Sequence, residues 1–146
     1  MEKIPDYIDR VAAGLTIERR VTMSTLFVIL WMIFFHVVAD YNIQGWLASA
    51  KQKSYWEQNA PDKLYKYDYI MALIMHSISW TFMVMLPIAY VQQFNIGFMF
   101  FIFFVLNVLV HATTDHAKAN EMTINLWKDQ LIHMGQIFVT SYLLYI

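Results

Sequence analysis

Long apolar stretches separated by short polar segments dominate the chain. No Asp, Glu, Lys or Arg occurs between Val21 and Ala39, between Tyr69 and Thr114, or after Asp129. A helix needs about 20 apolar residues to cross the hydrocarbon core of a bilayer, so the middle range is long enough for two crossings. The pattern therefore predicts an integral membrane protein.

The apolar stretches predict an all-α membrane protein, a four-transmembrane-helix antiparallel bundle. The predicted spans cover residues 21–39, with helix continuing to about 46, and residues 69–91, 94–112 and 126–146. Pro87 and the turn-forming residues 92–97 favour a hairpin between the second and third spans over one long helix. The predicted organisation is an N-terminal segment over residues 1–20 and one four-span domain over 21–146, with both termini on one side.

Two segments outside the spans have recognisable patterns. Residues 1–20 carry apolar residues at helical spacing (Ile4, Tyr7, Ile8, Val11 and Leu15) and predict an amphipathic helix on the membrane surface. A disordered tail is the alternative for this segment. Residues 45–68 combine lysines with tryptophan and tyrosine, which indicates a partly helical connection at the interface.

The composition narrows the function. Of the 146 residues, 59% are hydrophobic and 14% charged, against about a quarter charged in soluble domains, which excludes a soluble enzyme. The net charge of −1 indicates no nucleic-acid partner, and the predicted partner is the lipid bilayer, with oligomer formation left open. Because cysteine is absent, a bound metal would need His, Asp, Glu or carbonyl ligands.

Ionisable residues inside a membrane span are costly unless they are paired, solvated or bound. Three His–Asp pairs have i, i+4 spacing, which places both side chains on one helix face. They are His36 and Asp40, His111 and Asp115, and Asp129 and His133. Because short connections make the spans alternate in direction, all these residues come to one side of the membrane and predict a single polar chamber. They are His36 and Asp40 in the first span, His76 in the second, His111, Asp115 and His116 ending the third, and Asp129 and His133 opening the fourth.

This set has the chemistry of a divalent-metal site, with zinc as the first expectation and manganese or iron next. The alternative is a hydrogen-bonded network without metal. The expected ligands are His36, Asp40, His76, His111, Asp115, Asp129 and His133. Asp40 and Asp129 are also the candidate catalytic bases. Gln44, Lys118, Gln130 and His116 are expected to support the ligands or contact a substrate, although Lys118 and His116 also suit the headgroup region.

Four motifs resemble those of a family of small bacterial and phage membrane proteins, domain of unknown function 3307. The stretch from His36 to Gln44 reads H-x-x-A-D-[FY]-x-x-Q and is followed by Trp46 and Lys51. The other motifs are the lone His76, then His111, Asp115 and Lys118 as His-x3-Asp-x2-Lys, and Asp129, Gln130 and His133 as Asp-Gln-x2-His. The resemblance covers about residues 25–146. It implies a multi-pass protein of the bacterial inner membrane, in some cases phage-encoded, and it supports the site without implying a reaction.

Three functions fit this sequence. The first is a metal-dependent membrane hydrolase of a lipid or phosphorylated amphiphile. The chain is faintly similar to small inner-membrane metal-dependent hydrolases, which also have His and Asp inside the membrane. The second is an ion or proton pathway, which the apolar far halves of the spans disfavour. The third is a partner-binding or membrane-disrupting protein whose polar cluster is structural. A di-iron oxidase is disfavoured because the Glu-x2-His spacing is absent.

Overall fold

A computed structural model describes residue 12 and residues 25–146, and these residues form helices joined by short turns. The long helices are α1 (Thr25–Ile43), α4 (Asp68–Val91), α5 (Phe98–Ala119) and α6 (Leu126–Leu144). The connection between α1 and α4 contains the short helices α2 (Leu47–Ala50) and α3 (Lys53–Asn59) and a 3₁₀ turn, Lys63–Tyr65. No strand occurs among the described residues, so the all-α prediction is confirmed there. The predicted amphipathic helix over residues 1–20 lies outside them.

Within the part of the chain that the structure describes, three helical segments are long and apolar enough to cross a membrane. They are Thr25–Ile43, Lys63–Val91 and Phe98–Ala119. Helix α6, which corresponds to the fourth predicted span, is not among them. Its first two turns hold Lys128, Asp129, Gln130 and His133, and these polar side chains lower its mean hydropathy.

The long helices alternate in direction. The Trp31 ring of α1 packs edge-on against Tyr90 at the end of α4, with the ring centroids 5.9 Å apart. At the same end, the Gln92 side chain donates a hydrogen bond to the carbonyl of Leu144, 3.1 Å away. Helices α1 and α5 therefore run opposite to α4 and α6. The carboxyl ends of α1 and α5 meet the amino ends of α4 and α6.

The half of the bundle away from this meeting point has a mainly apolar interior, in which Thr140 and Ser141 are also buried. Its fully buried members come from three helices and include Val28, Met32, Val84, Ile88 and Ile137. Large apolar side chains also cover the outside, where Phe34, Phe82, Phe101 and Leu131 are each more than half exposed. An apolar exterior of this extent is typical of a surface that contacts lipid or another protein.

Helix α5 differs from its predicted limits at both ends. It begins four residues later than expected because Gln93 and Phe94 have φ angles of 53° and 58°, which place them in the turn. It ends at Ala119 and not at Ala112, so the predicted end is wrong. The hydroxyl groups of Thr113 and Thr114 bond back to carbonyls of the preceding turn. The helix continues for seven residues beyond the predicted end, through the polar residues 113–116.

The carboxyl end of α1 changes geometry. Residues Val38–Ile43 form a π-helix, a wider coil that often occurs at functional sites. The side-chain amide of Gln44 donates to the carbonyl of Asp40 and so caps the helix end. Gly45 follows with a φ of 47°, a conformation that side chains disfavour, and the chain turns away into α2. This ending keeps Asp40 buried inside the bundle.

Candidate metal centre

The seven predicted ligands lie together where the four long helices meet at one end of the bundle. His36 and Asp40 come from α1, His76 from α4, His111 and Asp115 from α5, and Asp129 and His133 from α6. Each is less than one tenth exposed. Because they are carried by rigid helices, their positions are set by helix packing and not by loop conformation.

Four of these residues face one another closely. Oδ1 of Asp40 lies 3.4 Å from Nε2 of His76 and 3.8 Å from Nε2 of His111. Oδ2 of Asp115 lies 3.4 Å from Nε2 of His76 and 3.7 Å from Nε2 of His111. Two carboxylates thus alternate with two imidazoles around one point. We refer to these four residues as the first group.

His133 contacts both Asp129 and the other oxygen of Asp115. Nε2 of His133 lies 3.3 Å from Oδ1 of Asp129 and 3.8 Å from Oδ1 of Asp115. We refer to His133, Asp129 and this Asp115 oxygen as the second group. The rings of His111 and His133 stack with their centroids 4.3 Å apart, so the two groups are in direct contact.

The facing atoms are too far apart for good hydrogen bonds, which require about 2.7–3.2 Å between heavy atoms. Several of them are buried without a hydrogen-bond partner among the residues that the structure describes. They are Oδ1 of Asp40, Nε2 of His76, both ring nitrogens of His111, Oδ1 of Asp129 and Nε2 of His133. Burying such atoms unpaired costs free energy, so the arrangement calls for a ligand or a proton.

The same spacing suits metal coordination. Ligand atoms 2.0–2.1 Å from a tetrahedral zinc ion lie about 3.3–3.4 Å from one another. The contacts of the first group span 3.4–3.8 Å, close to that value. The buried triads Asp40–His76–His111 and His111–Asp115–His133 each bring their ligand atoms within 4.8 Å of one another. These groups could hold a metal ion.

His36 lies beside the facing atoms and has no free ring nitrogen. Its Nδ1 accepts a hydrogen bond from the indole N–H of Trp80, at 2.8 Å, so its proton is on Nε2. Nε2 lies 3.0 Å from Oε1 of Gln130, to which it donates. In this geometry His36 positions Trp80, whose ring stacks on His111 with the centroids 4.3 Å apart.

Two lysines reach the carboxylates from the end of the bundle at which the cluster lies. Nζ of Lys51 lies 2.6 Å from Oδ2 of Asp115, and Nζ of Lys118 lies 2.6 Å from Oδ2 of Asp129. The lysine side chains are 14% and 35% exposed. Each ammonium group therefore connects a buried carboxylate to the outside of the bundle.

The connection that carries Lys51 is held against the end of α5. Oδ1 of Asn120 accepts from the backbone N–H of Lys53 at 2.7 Å, and Nδ2 of Asn120 donates to the carbonyl of Lys51 at 3.0 Å. The indole N–H of Trp56 donates to the carbonyl of Ala50, a residue with no exposed surface. The segment that contains α2 and α3 is thus held over the cluster, and we refer to residues 47–59 as the roof.

The four residues expected to support the ligands have different positions. Gln130 links His36 to Asp129, donating to Oδ2 of Asp129 at 3.0 Å. Lys118 contacts Asp129, as above. Gln44 caps α1 by bonding to the backbone of Asp40, and within the described part of the chain its side chain forms no hydrogen bond with the other six predicted ligands. His116 is 37% exposed, stacks on Tyr69 and lies outside both groups.

Sequence reasoning missed the residues that orient the histidines. Trp80 lies four residues after His76, and Gln136 lies three residues after His133, so both are on the faces that carry the ligands. Oε1 of Gln136 is 3.1 Å from Nδ1 of His133. Helical spacing from a predicted ligand was the signal available for both residues. Asn120 had no comparable signal, because its role depends on where α2 packs.

Comparisons with known proteins add no further constraint. A search of protein families, of curated proteins and of solved structures finds no match to this chain.

Proposed function

We propose that the chain is a four-span membrane protein in which α6 is the fourth span. The polar residues of α6 face the bundle, where Asp129, His133, Gln136 and Thr140 are buried. Apart from Lys128 in the first turn, its large exposed side chains are mostly apolar and include Leu131, Phe138, Val139 and Leu143. The low mean hydropathy of α6 therefore reflects side chains that contact protein and not lipid. Two further predictions from the sequence are that the chain belongs to the family named domain of unknown function 3307 and that it lies in the bacterial inner membrane.

The first group is the proposed site of a divalent ion, with zinc as the expected metal. Two imidazole nitrogens and two carboxylate oxygens are a suitable donor set for a four-coordinate ion. Manganese and iron accept the same donors and are the next candidates. The observation that carries this proposal is the convergence of buried ligand atoms at metal-ligand spacing, without hydrogen bonds among them.

The proposed activity is hydrolysis of a phosphorylated amphiphile at the membrane surface. Asp40 is three residues from the end of α1 and Asp115 is four residues from the end of α5, whereas His76 and His111 are each eight residues from a helix end. The two carboxylates are therefore the part of the site nearest the depth of lipid headgroups. Lys51 and Lys118 add positive charge on the side from which an anionic headgroup would approach.

The chemistry would proceed by metal-assisted hydrolysis. A divalent ion polarises a phosphoryl oxygen and makes a bound water more acidic. Held by the first group, such an ion would assist the attack of water on phosphorus, in which the bond between phosphorus and the ester oxygen breaks and the leaving alkoxide takes up a proton. When only the first position holds an ion, Asp129, which lies outside the first group, would accept the proton of the attacking water, whereas Asp40, the other predicted base, would be a ligand.

A structural polar network is the second candidate. It is favoured by the residues of the cluster whose polar atoms already have hydrogen-bond or ion-pair partners. His36, Trp80 and Gln130 are joined by hydrogen bonds that need no ion. Lys51 and Lys118 also neutralise two of the carboxylates. Under this alternative, the cluster holds the helices together, and its histidine variants lose folding rather than metal.

Elemental analysis and an activity assay distinguish the metal-dependent hydrolase from the structural polar network. The detergent-purified protein is measured for zinc, manganese and iron, and for phosphate release from dioctanoyl phosphatidic acid in mixed micelles. We expect at least one ion per chain, and loss of both metal and activity in His111→Ala. His116→Ala is the matched control, since it removes an imidazole from the same helix outside the cluster, and it should retain both.

Folding is followed by gel filtration and circular dichroism. If the wild-type protein holds no stoichiometric metal while His111→Ala remains folded, the metal proposal is wrong. If the metal is present but no phosphate is released from phosphatidic acid, the proposed substrate class is wrong.

A further inference from the structure

We propose that the second group is a separate cation position, so that the centre holds two divalent ions bridged by Asp115. The proposal rests on the first position described above and extends it. It concerns Nε2 of His133, Oδ1 of Asp129 and Oδ1 of Asp115. His133 and Asp129 have no exposed surface, and Asp115 is 3% exposed.

The proton of a neutral His133 is assigned by its neighbours. Nε2 of Gln136 donates to both the carbonyl and the side-chain oxygen of Asn107, at 3.1 Å in each case. Nδ2 of Asn107 donates to Thr140, which leaves its Oδ1 as the acceptor for Gln136. The oxygen of Gln136 therefore faces Nδ1 of His133 and accepts its proton. The lone pair of the neutral imidazole is then on Nε2.

That lone pair faces two carboxylate oxygens. Nε2 of His133 lies 3.3 Å from Oδ1 of Asp129 and 3.8 Å from Oδ1 of Asp115. Neither Nε2 of His133 nor Oδ1 of Asp129 has a hydrogen-bond partner in the described part of the chain. Three electron-pair donors in a buried space repel one another, and a cation between them removes the repulsion. The competing explanation is a second proton on His133.

Asp115 can serve both positions because its two oxygens face different groups. Oδ2 faces His76 and His111, at 3.4 and 3.7 Å, whereas Oδ1 faces His133. A carboxylate that binds one ion through each oxygen is a suitable bridge in two-metal centres, where the ions are about 3.5–4 Å apart. His111 belongs to both buried triads. Its Nε2 has one lone pair, however, and is assigned to the first position by its contacts with Asp40 and Asp115.

The charges of the cluster define what else must bind. Asp40, Asp115 and Asp129 supply three negative charges, and Lys51 and Lys118 supply two positive charges at 2.6 Å from two of them. Two divalent ions would leave this buried cluster with excess positive charge. Bound hydroxide or an anionic substrate offsets that excess. A two-ion centre therefore favours a phosphate-bearing substrate over a neutral ester.

Metal stoichiometry tests the second position without any substrate. The full-length protein in detergent is loaded with Mn²⁺, dialysed, and measured for bound manganese by mass spectrometry and for its electron paramagnetic resonance spectrum. We expect two ions per wild-type chain and a spin-coupled spectrum, because a carboxylate bridge couples neighbouring ions. His133→Ala should bind one ion and show an uncoupled six-line spectrum. His116→Ala, the control, should bind two.

Each other result contradicts the proposal in a distinguishable way. One ion per wild-type chain with an uncoupled spectrum overturns the second position and leaves the first standing. No bound ion overturns both positions. Loss of both ions in a folded His133→Ala protein would place His133 in the first position and also overturn the assignment. If His133→Ala does not fold, Asp129→Asn replaces it, and the wild-type spectrum decides the question by itself.

Discussion

Replacement of Trp80 by Phe tests whether His36 is a positioning residue. Trp80 has no exposed surface, and its indole N–H donates to Nδ1 of His36 at 2.8 Å. Phenylalanine keeps an aromatic ring for stacking against His111 but lacks the N–H group. The substitution therefore leaves Nδ1 of His36 without its donor inside a nearly fully buried site.

Two contributions set the size of the effect. Loss of a hydrogen bond inside a membrane bundle costs about 0.6–1.7 kcal/mol. The smaller ring also leaves a void of about 40 Å³, which at about 24 cal/mol per Å³ adds about 1 kcal/mol. The expected decrease in the free energy of unfolding is therefore about 2–3 kcal/mol. Metal content should not change, because neither ring nitrogen of His36 is free for coordination.

Unfolding is measured by titrating SDS into the detergent-solubilised protein and recording circular dichroism. Trp127→Phe is the matched control, since Trp127 is 80% exposed, and it should change the free energy by less than about 0.5 kcal/mol. Equal stability of the two variants would refute the assigned hydrogen bond. Loss of the metal in a folded Trp80→Phe protein would refute the separation of His36 from the ligands.

Two further predictions concern the roof and the turns. Asn120→Ala removes both hydrogen bonds that hold the backbone of Lys51 and Lys53. Amide hydrogen exchange in residues 51–60 should therefore become about tenfold faster, while exchange in α4 is unchanged. Equal exchange rates in residues 51–60 of the variant and the wild-type protein would contradict the role of Asn120. Gly45→Ala should destabilise the protein by roughly 1–2 kcal/mol because Gly45 has a φ of 47°. Gly135→Ala, in open space on helix α6, should instead stabilise it by up to about 1 kcal/mol, and the same sign for both variants would contradict the conformational argument.

The helical segments were predictable because their apolar residues and their turn residues are both visible in the chain. The turn at residues 92–97 and the start of α6 follow directly from such local signals. The end of α5 was not predictable in this way. Its last two turns are polar, and they remain helical because Asp115 is buried against other helices. Only the packed structure contains that information.

The composition of the cluster was predictable from helical spacing and alternation of direction. The distinction between ligands and supporting residues was not. His36 and His133 have the same spacing to an aspartate, yet one has both nitrogens bonded and the other has a free Nε2. That difference depends on Trp80, which reaches His36 from another helix, and on Gln136, which lies one turn after His133. Sequence spacing shows which residues share a helix face, but the tautomer of each histidine depends on the side chains that pack against its ring.

The long separation between Lys51 and its partner has a consequence for biogenesis. Lys51 precedes Asp115 by 64 residues, so it is synthesised well before the carboxylate that it neutralises. Asp40 and His76 likewise precede the α5 and α6 residues that surround them. During synthesis, the early helices therefore carry unmatched polar groups until the second hairpin has been made. Stable burial of the first half of the chain is a late event, and a nascent chain truncated before α5 should be a substrate for membrane quality control.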